Sequence, residues 1–220
     1  ILKKNGDQKL VDYLLYRFRF ENFPYQNKLH DFPIYALIEP TSSCNLRCVM
    51  CFQTDKSFTK KPYMGVMDID FFKQCVDSLV QGGTKALTLA SRGEPTLHPK
   101  LPDMIEYCKD KFFEFKINTN ATRLNEKIIR CILENNVDEL VYSVDAHTEE
   151  MYSQIRPAIN GKNNFNLVLS NISNFNQIRD NEYKSSFTKT RVSGVCFRED
   201  QNLEDITNFW KQYVDEVAFV

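Results

Sequence analysis

Three cysteines lie close together in the run Cys44-Asn45-Leu46-Arg47-Cys48-Val49-Met50-Cys51. Spaced by four and three positions, they can converge from a loop, and thiolates are soft ligands suited to a soft metal centre. A structural zinc site closes on four ligands. No second Cys-x-x-Cys pair or neighbouring histidine supplies the fourth here, and His30 and His98 stand alone. An electron-carrying ferredoxin would also bring a fourth cysteine. Three thiolates leave one iron of a four-iron cluster open to a ligand from outside the protein. The spacing by itself leaves open an iron–sulfur enzyme, an iron–sulfur electron-transfer module and a zinc-stabilised binding protein.

The 220 residues contain seven cysteines. Cys75, Cys108 and Cys131 fall in stretches of helical period and Cys196 in a β-rich run. All four read as small buried hydrophobes. An odd cysteine count in a chain that is 42% hydrophobic does not describe a disulfide-stapled mini-domain. Unpaired thiols suit a reducing, cytoplasmic setting. A net charge of -1 creates no basic field for nucleic acid. No apolar run approaches the roughly 18–20 residues of a membrane-spanning helix.

The elements that must position the cysteines alternate. Six β-rich runs, at 35–39, 86–89, 113–117, 139–144, 188–197 and 216–220, are separated by helix-period segments. In the first, Asp68 caps a helix whose face is Ile69, Phe72, Val76, Leu79 and Val80, stopped by Gly82-Gly83. Leu101, Met104, Ile105, Cys108 and Phe112 form the second face, and Ile128, Ile129 and Ile132 follow Asn125 in the third. The fourth is long, from Phe165 to Ile178, and the fifth uses Leu203, Ile206, Trp210 and Tyr213. Such alternation predicts an α/β fold, a partial (β/α)6 TIM-like barrel of parallel strands. Right-handed crossovers open all strand C-termini on one side, where ligands bind. Residues 1–34 form an N-terminal extension. In it, Leu10, Val11, Leu14, Leu15 and Phe18 suit an amphipathic helix packed on the barrel's end.

The Cys-x3-Cys-x2-Cys motif after the first strand resembles the signature of the radical S-adenosylmethionine (radical SAM) enzymes, and Ser91-Arg92-Gly93-Glu94-Pro95 after the second resembles that family's Gly-Gly-Glu motif. The likeness spans about residues 35–220. It implies a [4Fe-4S] cluster on Cys44, Cys48 and Cys51, with S-adenosylmethionine on the fourth iron. It further implies that Met50 borders the adenine and that Gly93 and Glu94 bind the methionyl amino group. Arg92 departs from the pattern, which has Gly there. Asn118-Thr119-Asn120 resembles the family's Thr-Asn-Gly turn. Ser143 and Asp145 match a ribose-binding strand end, Arg156 a place that holds the methionyl carboxylate, and Gly194 a fifth-strand adenine contact. The implied chemistry is reductive cleavage of S-adenosylmethionine to a 5′-deoxyadenosyl radical that takes hydrogen from a peptide, sugar or other metabolite. It calls for an external one-electron reductant, flavodoxin- or ferredoxin-like.

Two features suggest a piece of a longer protein. The chain starts at Ile1 without a signal-peptide pattern, and its last apolar run, 217–220, reads as a strand awaiting a covering element. Many members of the resembled family carry a C-terminal SPASM or twitch domain with further clusters. No cysteine follows Cys196.

Overall fold

The computed structural model describes residues 9–219. The chain runs as α1 (Leu10–Asn22), β1 (Tyr35–Ile38), α2 (Ile69–Gln81), β2 (Ala86–Leu89), α3 (Leu101–Cys108), β3 (Glu114–Thr119), α4 (Glu126–Glu134), β4 (Glu139–Ser143), α5 (Glu149–Ile155), α6 (Phe165–Glu182), β5 (Lys189–Gly194), α7 (Leu203–Trp210) and β6 (Glu216–Phe219). The six strands form one open sheet in the order β1-β2-β3-β4-β5-β6, every pair parallel. Sequential parallel neighbours with covering helices are a partial TIM-like barrel, and all strand C-termini open on one face.

Local chemistry sets the helix ends. Asp68 accepts from the backbone N–H groups of Asp70 and Phe71, and Asn125 from that of Ile128. Gly83, at φ +89°, reverses the chain after α2, a conformation that carries no side-chain penalty for glycine. Behind the sheet, Leu87, Ile117, Leu140 and Val192 meet Phe72, Ile105, Ile129, Ile172 and Trp210 in one continuous core. Burial of each such side chain contributes about 1.5–3 kcal/mol. The Trp210 indole N–H donates to the Ala146 carbonyl at 2.9 Å, so burial leaves its polar atom satisfied.

Several expectations are corrected. Val80 is 41% and Leu203 39% exposed, outside the packed faces of α2 and α7, and Tyr213 follows α7, which ends at Trp210. α3 stops at Cys108, because Lys109 turns extended and Asp110 takes φ +57°; Phe112 is still buried, but from a loop. Cys196 is exposed and follows β5, which ends at Gly194. The stripe expected to pack in α1 faces outward: Val11, Leu14, Leu15 and Phe18 are 46–65% exposed. Residues 1–8 of the extension, and Val220 of the last strand, lie outside the described residues.

The orientation of α1 has an electrostatic cause. Glu114, at the N-terminal end of β3, is buried, and α1 supplies its donors. The Tyr16 hydroxyl donates to Oε2 at 3.1 Å, while Tyr13 and Arg17 donate to Oε1 at 3.4 and 3.3 Å. An unpaired buried carboxylate costs more than an exposed leucine gains by packing, so the carboxylate selects the face. Glu114→Ala is therefore expected to loosen α1 by about 2 kcal/mol, the scale of hydrogen bonds to a charged group. Amide exchange should rise across residues 10–22 while β2–β4 amides keep their protection. Uniform loss of protection would refute this anchoring.

Candidate active site

The strand ends β1–β4 deliver the candidate residues to one mouth. After β1, the cysteine loop is pinned from below and behind. Arg47 N–H donates to the Pro157 carbonyl at 2.8 Å and Val49 N–H to that of Ile155 at 3.0 Å. Leu46, buried, bridges Ala158. The buried Gln53 amide donates to the Ser42 and Arg92 carbonyls at 2.8 and 3.1 Å, tying this loop to the one after β2.

The second loop leaves β2 through Ser91, at φ +115°, an unusual conformation for serine that marks a forced turn. Gly93 is required by close approach, since a Cβ there would lie 1.7 Å from the Thr41 carbonyl oxygen. Glu94 N–H then donates to Ser43 O at 2.8 Å. The Glu94 carboxylate is 3% exposed and takes four hydrogen bonds. Thr96 N–H (3.0 Å), Thr96 hydroxyl (2.6 Å) and Thr119 hydroxyl (2.6 Å) reach Oε1, and Asn120 N–H (2.6 Å) reaches Oε2. Burial pushes its pKa upward, and these donors pull the other way.

Arg92, the departure from the expected motif, points away from the cleft's centre to Glu39 at the end of β1. Its Nε and backbone N–H approach Oε2 at 2.8 and 2.9 Å, and Nη2 reaches Oε1 at 2.5 Å. Burial opposes ionisation of Glu39, but the Arg92 side-chain and backbone hydrogen bonds outweigh it and hold the carboxyl below its ordinary range.

A cleft of about 370 Å³ brings together Cys44, Cys48, Cys51, Met50, Gly93, Glu94, Asn120, Ser143 and Arg156, nine of the eleven residues expected from the sequence. Asp145 and Gly194 do not line it. Asp145 is fully buried behind Arg156, accepting from Nε at 2.6 Å. A Cβ on Gly194 would meet Phe219 at 2.5 Å and the Val144 carbonyl at 2.6 Å, so packing between β4 and β6 already demands glycine there. The sequence reading missed Thr96 and Thr119 as carboxylate donors, Gln53 as the tie between loops, and Glu39 as the partner of Arg92. Thr119 was reachable as one residue of the strand-end motif. The others had no local signal. A larger groove of about 810 Å³ near Phe20, Tyr25 and Tyr35 contains none of the cysteines.

The thiols are partly buried and differ in surroundings. Burial pushes the Cys44 thiol up to about 11, and Asn120 Nδ2 lies 3.8 Å from its sulfur. Burial also raises Cys48, opposed by the Arg156 guanidinium, whose Nη1 lies 3.6 Å from that sulfur. Both groups are therefore neutral thiols at pH 7 without a metal, and metal uptake must release protons. Among the described residues, no three His, Cys, Asp or Glu side chains are arranged to hold a metal ion directly. The thiols instead share a cleft with two N–H donors at their sulfurs, a lining that fits the larger body of an iron–sulfur cluster.

The family model of the Radical SAM superfamily matches residues 38–209. The chain belongs to the radical SAM superfamily. Membership implies a [4Fe-4S] cluster and S-adenosylmethionine as cofactors. Over 112 residues it is 35% identical to the tungsten-containing aldehyde ferredoxin oxidoreductase cofactor-modifying protein of Pyrococcus furiosus, covering 50% of this chain and 30% of that protein. The antilisterial bacteriocin subtilosin biosynthesis protein AlbA of Bacillus subtilis is 25% identical over 126 residues, 56% of this chain and 27% of AlbA. The fold matches Streptococcus suis SuiB bound to precursor peptide SuiA with a TM-score of 0.69 at 16% identity, covering 92% of this chain and 42% of SuiB. This chain thus spans less than half the length of each of these three. Among the described residues no helix is long and apolar enough to cross a membrane.

Gly93→Ala tests the close approach. It should destabilise by about 3 kcal/mol, the upper end of overpacking, seen as a lower denaturation midpoint. Gly65→Ala, where a Cβ meets open space, should stay within about 0.5 kcal/mol of wild type. Equal midpoints for the two variants would contradict the assignment.

Proposed function

We propose that this chain binds the cluster and S-adenosylmethionine in the Cys44–Cys48–Cys51 cleft and directs radical hydrogen abstraction at a peptide substrate. The observation that carries it is the meeting of all three thiols with Gly93, Glu94, Asn120 and Arg156 in one cleft at the strand C-termini. Cys44, Cys48 and Cys51 would hold three irons. Bound there, the two cofactors supply one-electron cleavage of a sulfonium and a carbon radical able to take hydrogen from an unactivated carbon.

The protein's part is positional. Glu94, spending both oxygens on Thr96, Thr119 and Asn120, holds the two loops at fixed spacing. The Gly93 and Glu94 carbonyls would then be the acceptors offered to the methionyl amino group, that of Glu94 shared with the Leu97 N–H. Ser143 at the end of β4 suits a ribose hydroxyl, Met50 gives an apolar border for adenine, and Arg156, which lines the cleft, suits a carboxylate. Asp145 and Gly194 serve from behind the wall. A partly buried mouth limits water around the reacting atoms. The reducing electron comes from an external one-electron carrier. AlbA, named for bacteriocin biosynthesis, and SuiB, bound to a precursor peptide, favour a peptide over a sugar or other metabolite.

Anaerobic reconstitution with iron and sulfide should give a brown protein that forms 5′-deoxyadenosine from S-adenosylmethionine under dithionite. Stoichiometric zinc with no iron would falsify the reading. Cys48→Ala should abolish both cluster and cleavage. Cys108→Ala, in the buried core, should keep both and lose about 1 kcal/mol of stability, the scale of one deleted buried group. Substrate class is read by deuterium transfer into 5′-deoxyadenosine from deuterated cell extract split into peptide and small-molecule fractions. Label from the small-molecule fraction alone would overturn the peptide assignment.

A further inference from the structure

Asp145 and Arg156 form a buried ion pair beside the cysteine loop, with side chains 0% and 10% exposed. Removing two charges from water is expensive, and such a pair seldom stabilises a fold more than apolar side chains of the same volume would. Its geometry directs one group outward. Asp145 Oδ1 accepts from Val195 N–H at 2.8 Å, its carbonyl accepts from Gln201 Nε2 at 3.0 Å, and Oδ2 takes Arg156 Nε at 2.6 Å. Arg156 N–H is fixed in turn on the Tyr152 carbonyl at 2.7 Å. With backbone and Nε both held, Nη1 is set 3.6 Å from the Cys48 sulfur. A cationic N–H on one thiolate is a means of stabilising added negative charge, and hydrogen bonds to cluster sulfurs tune reduction potential.

We propose that Asp145 is a positioning residue whose carboxylate holds the Arg156 guanidinium on the Cys48 sulfur, and that this contact raises the reduction potential of the cluster bound there. The inference rests on the cluster reading of the cleft. It assigns Asp145 a role through Arg156 and gives Arg156 a function that does not require S-adenosylmethionine. Reduction adds one electron to the cluster; the guanidinium stays protonated throughout, so no proton need move with the electron.

The test is the midpoint potential of the reconstituted chain, measured by spectroelectrochemistry without S-adenosylmethionine, so that no contact of Arg156 with that molecule contributes. Arg156→Met should lower the one-electron reduction constant by about tenfold, about 59 mV. That variant leaves Asp145 buried and unpaired, so the double variant Asp145→Asn, Arg156→Met is measured beside it. It removes both charges at once, and a lower potential in it reports the lost N–H···S contact. Tyr152→Phe is the control. The Tyr152 hydroxyl is buried in the same neighbourhood with no hydrogen-bond partner, so its removal should leave the potential at the wild-type value. A lowered potential in the double variant with full iron content supports the proposal. An unchanged potential with full iron overturns it. So does loss of the cluster from both Arg156 variants, which would place the pair in assembly rather than tuning. A wild-type chain that takes up no iron would sink the cluster reading itself, a result distinct from any of these.

Discussion

A carboxylate taken out of water must be repaid in hydrogen bonds, and Glu94 collects them from two different strand ends. Thr96 lies on its own loop, while Thr119 and Asn120 sit at the end of β3. Its backbone N–H binds Ser43, on the loop that leads to Cys44. Three successive βα connections are therefore locked through one residue. Removing any donor would leave part of a buried carboxylate unsatisfied, which costs more than a typical hydrogen bond contributes. The cleft's spacing depends on these hydrogen bonds, while the hydrophobic core packs the sheet against its helices.

Close backbone approach is the second constraint. Gly93 brings the β2 loop against Thr41, nearer than any side chain permits, and Gly194 leaves room for the Phe219 ring of β6 and the Val144 carbonyl, both of which a Cβ there would meet. The Arg92–Glu39 pair completes the first approach. A long cationic side chain beside Gly93 would crowd the cleft if it turned inward. Glu39, at the end of the edge strand, draws it outward through a two-pronged contact. The motif's departure from its usual glycine is thus compensated by a residue from another strand.

Much of this was legible in the sequence, and the failures have physical causes. The strand–helix alternation and the caps at Asp68 and Asn125 follow from local pattern, and the gathering of Cys44, Cys48 and Cys51 with Glu94 from the resemblance of their motifs to the family's. α5 was not read, because seven residues with two buried positions carry too little period. The outward stripe of α1 was misassigned because apolar periodicity was weighed without the buried Glu114, ninety-eight positions from Tyr16, that decides the face. Cys196 failed for a related reason, since a β-rich run does not disclose that its strand ends at Gly194. Asp145 and Gly194 were found as residues, but the structure sets them behind the wall of the cleft. A single sequence shows that such residues end strands, not which side of the sheet they serve.

The seven thiols show how environment divides one residue type. Cys108 is surrounded by the apolar core, which raises its thiol to about 12 and offers no counter-charge except Lys111. Cys48 is partly buried, and a guanidinium held by its own carboxylate lies against the sulfur. Desolvation alone makes a thiol inert; desolvation with a fixed cation makes a site where thiolate charge can be kept out of water. That difference arises from tertiary structure, because Arg156 lies 108 positions from Cys48 and is brought to it where residues 155–158 pair with the cysteine loop, through the Leu46–Ala158 bridge and the Arg47 and Val49 N–H bonds. The short bridge beside the cysteine loop thereby converts a metal-binding spacing into an electrostatically defined centre.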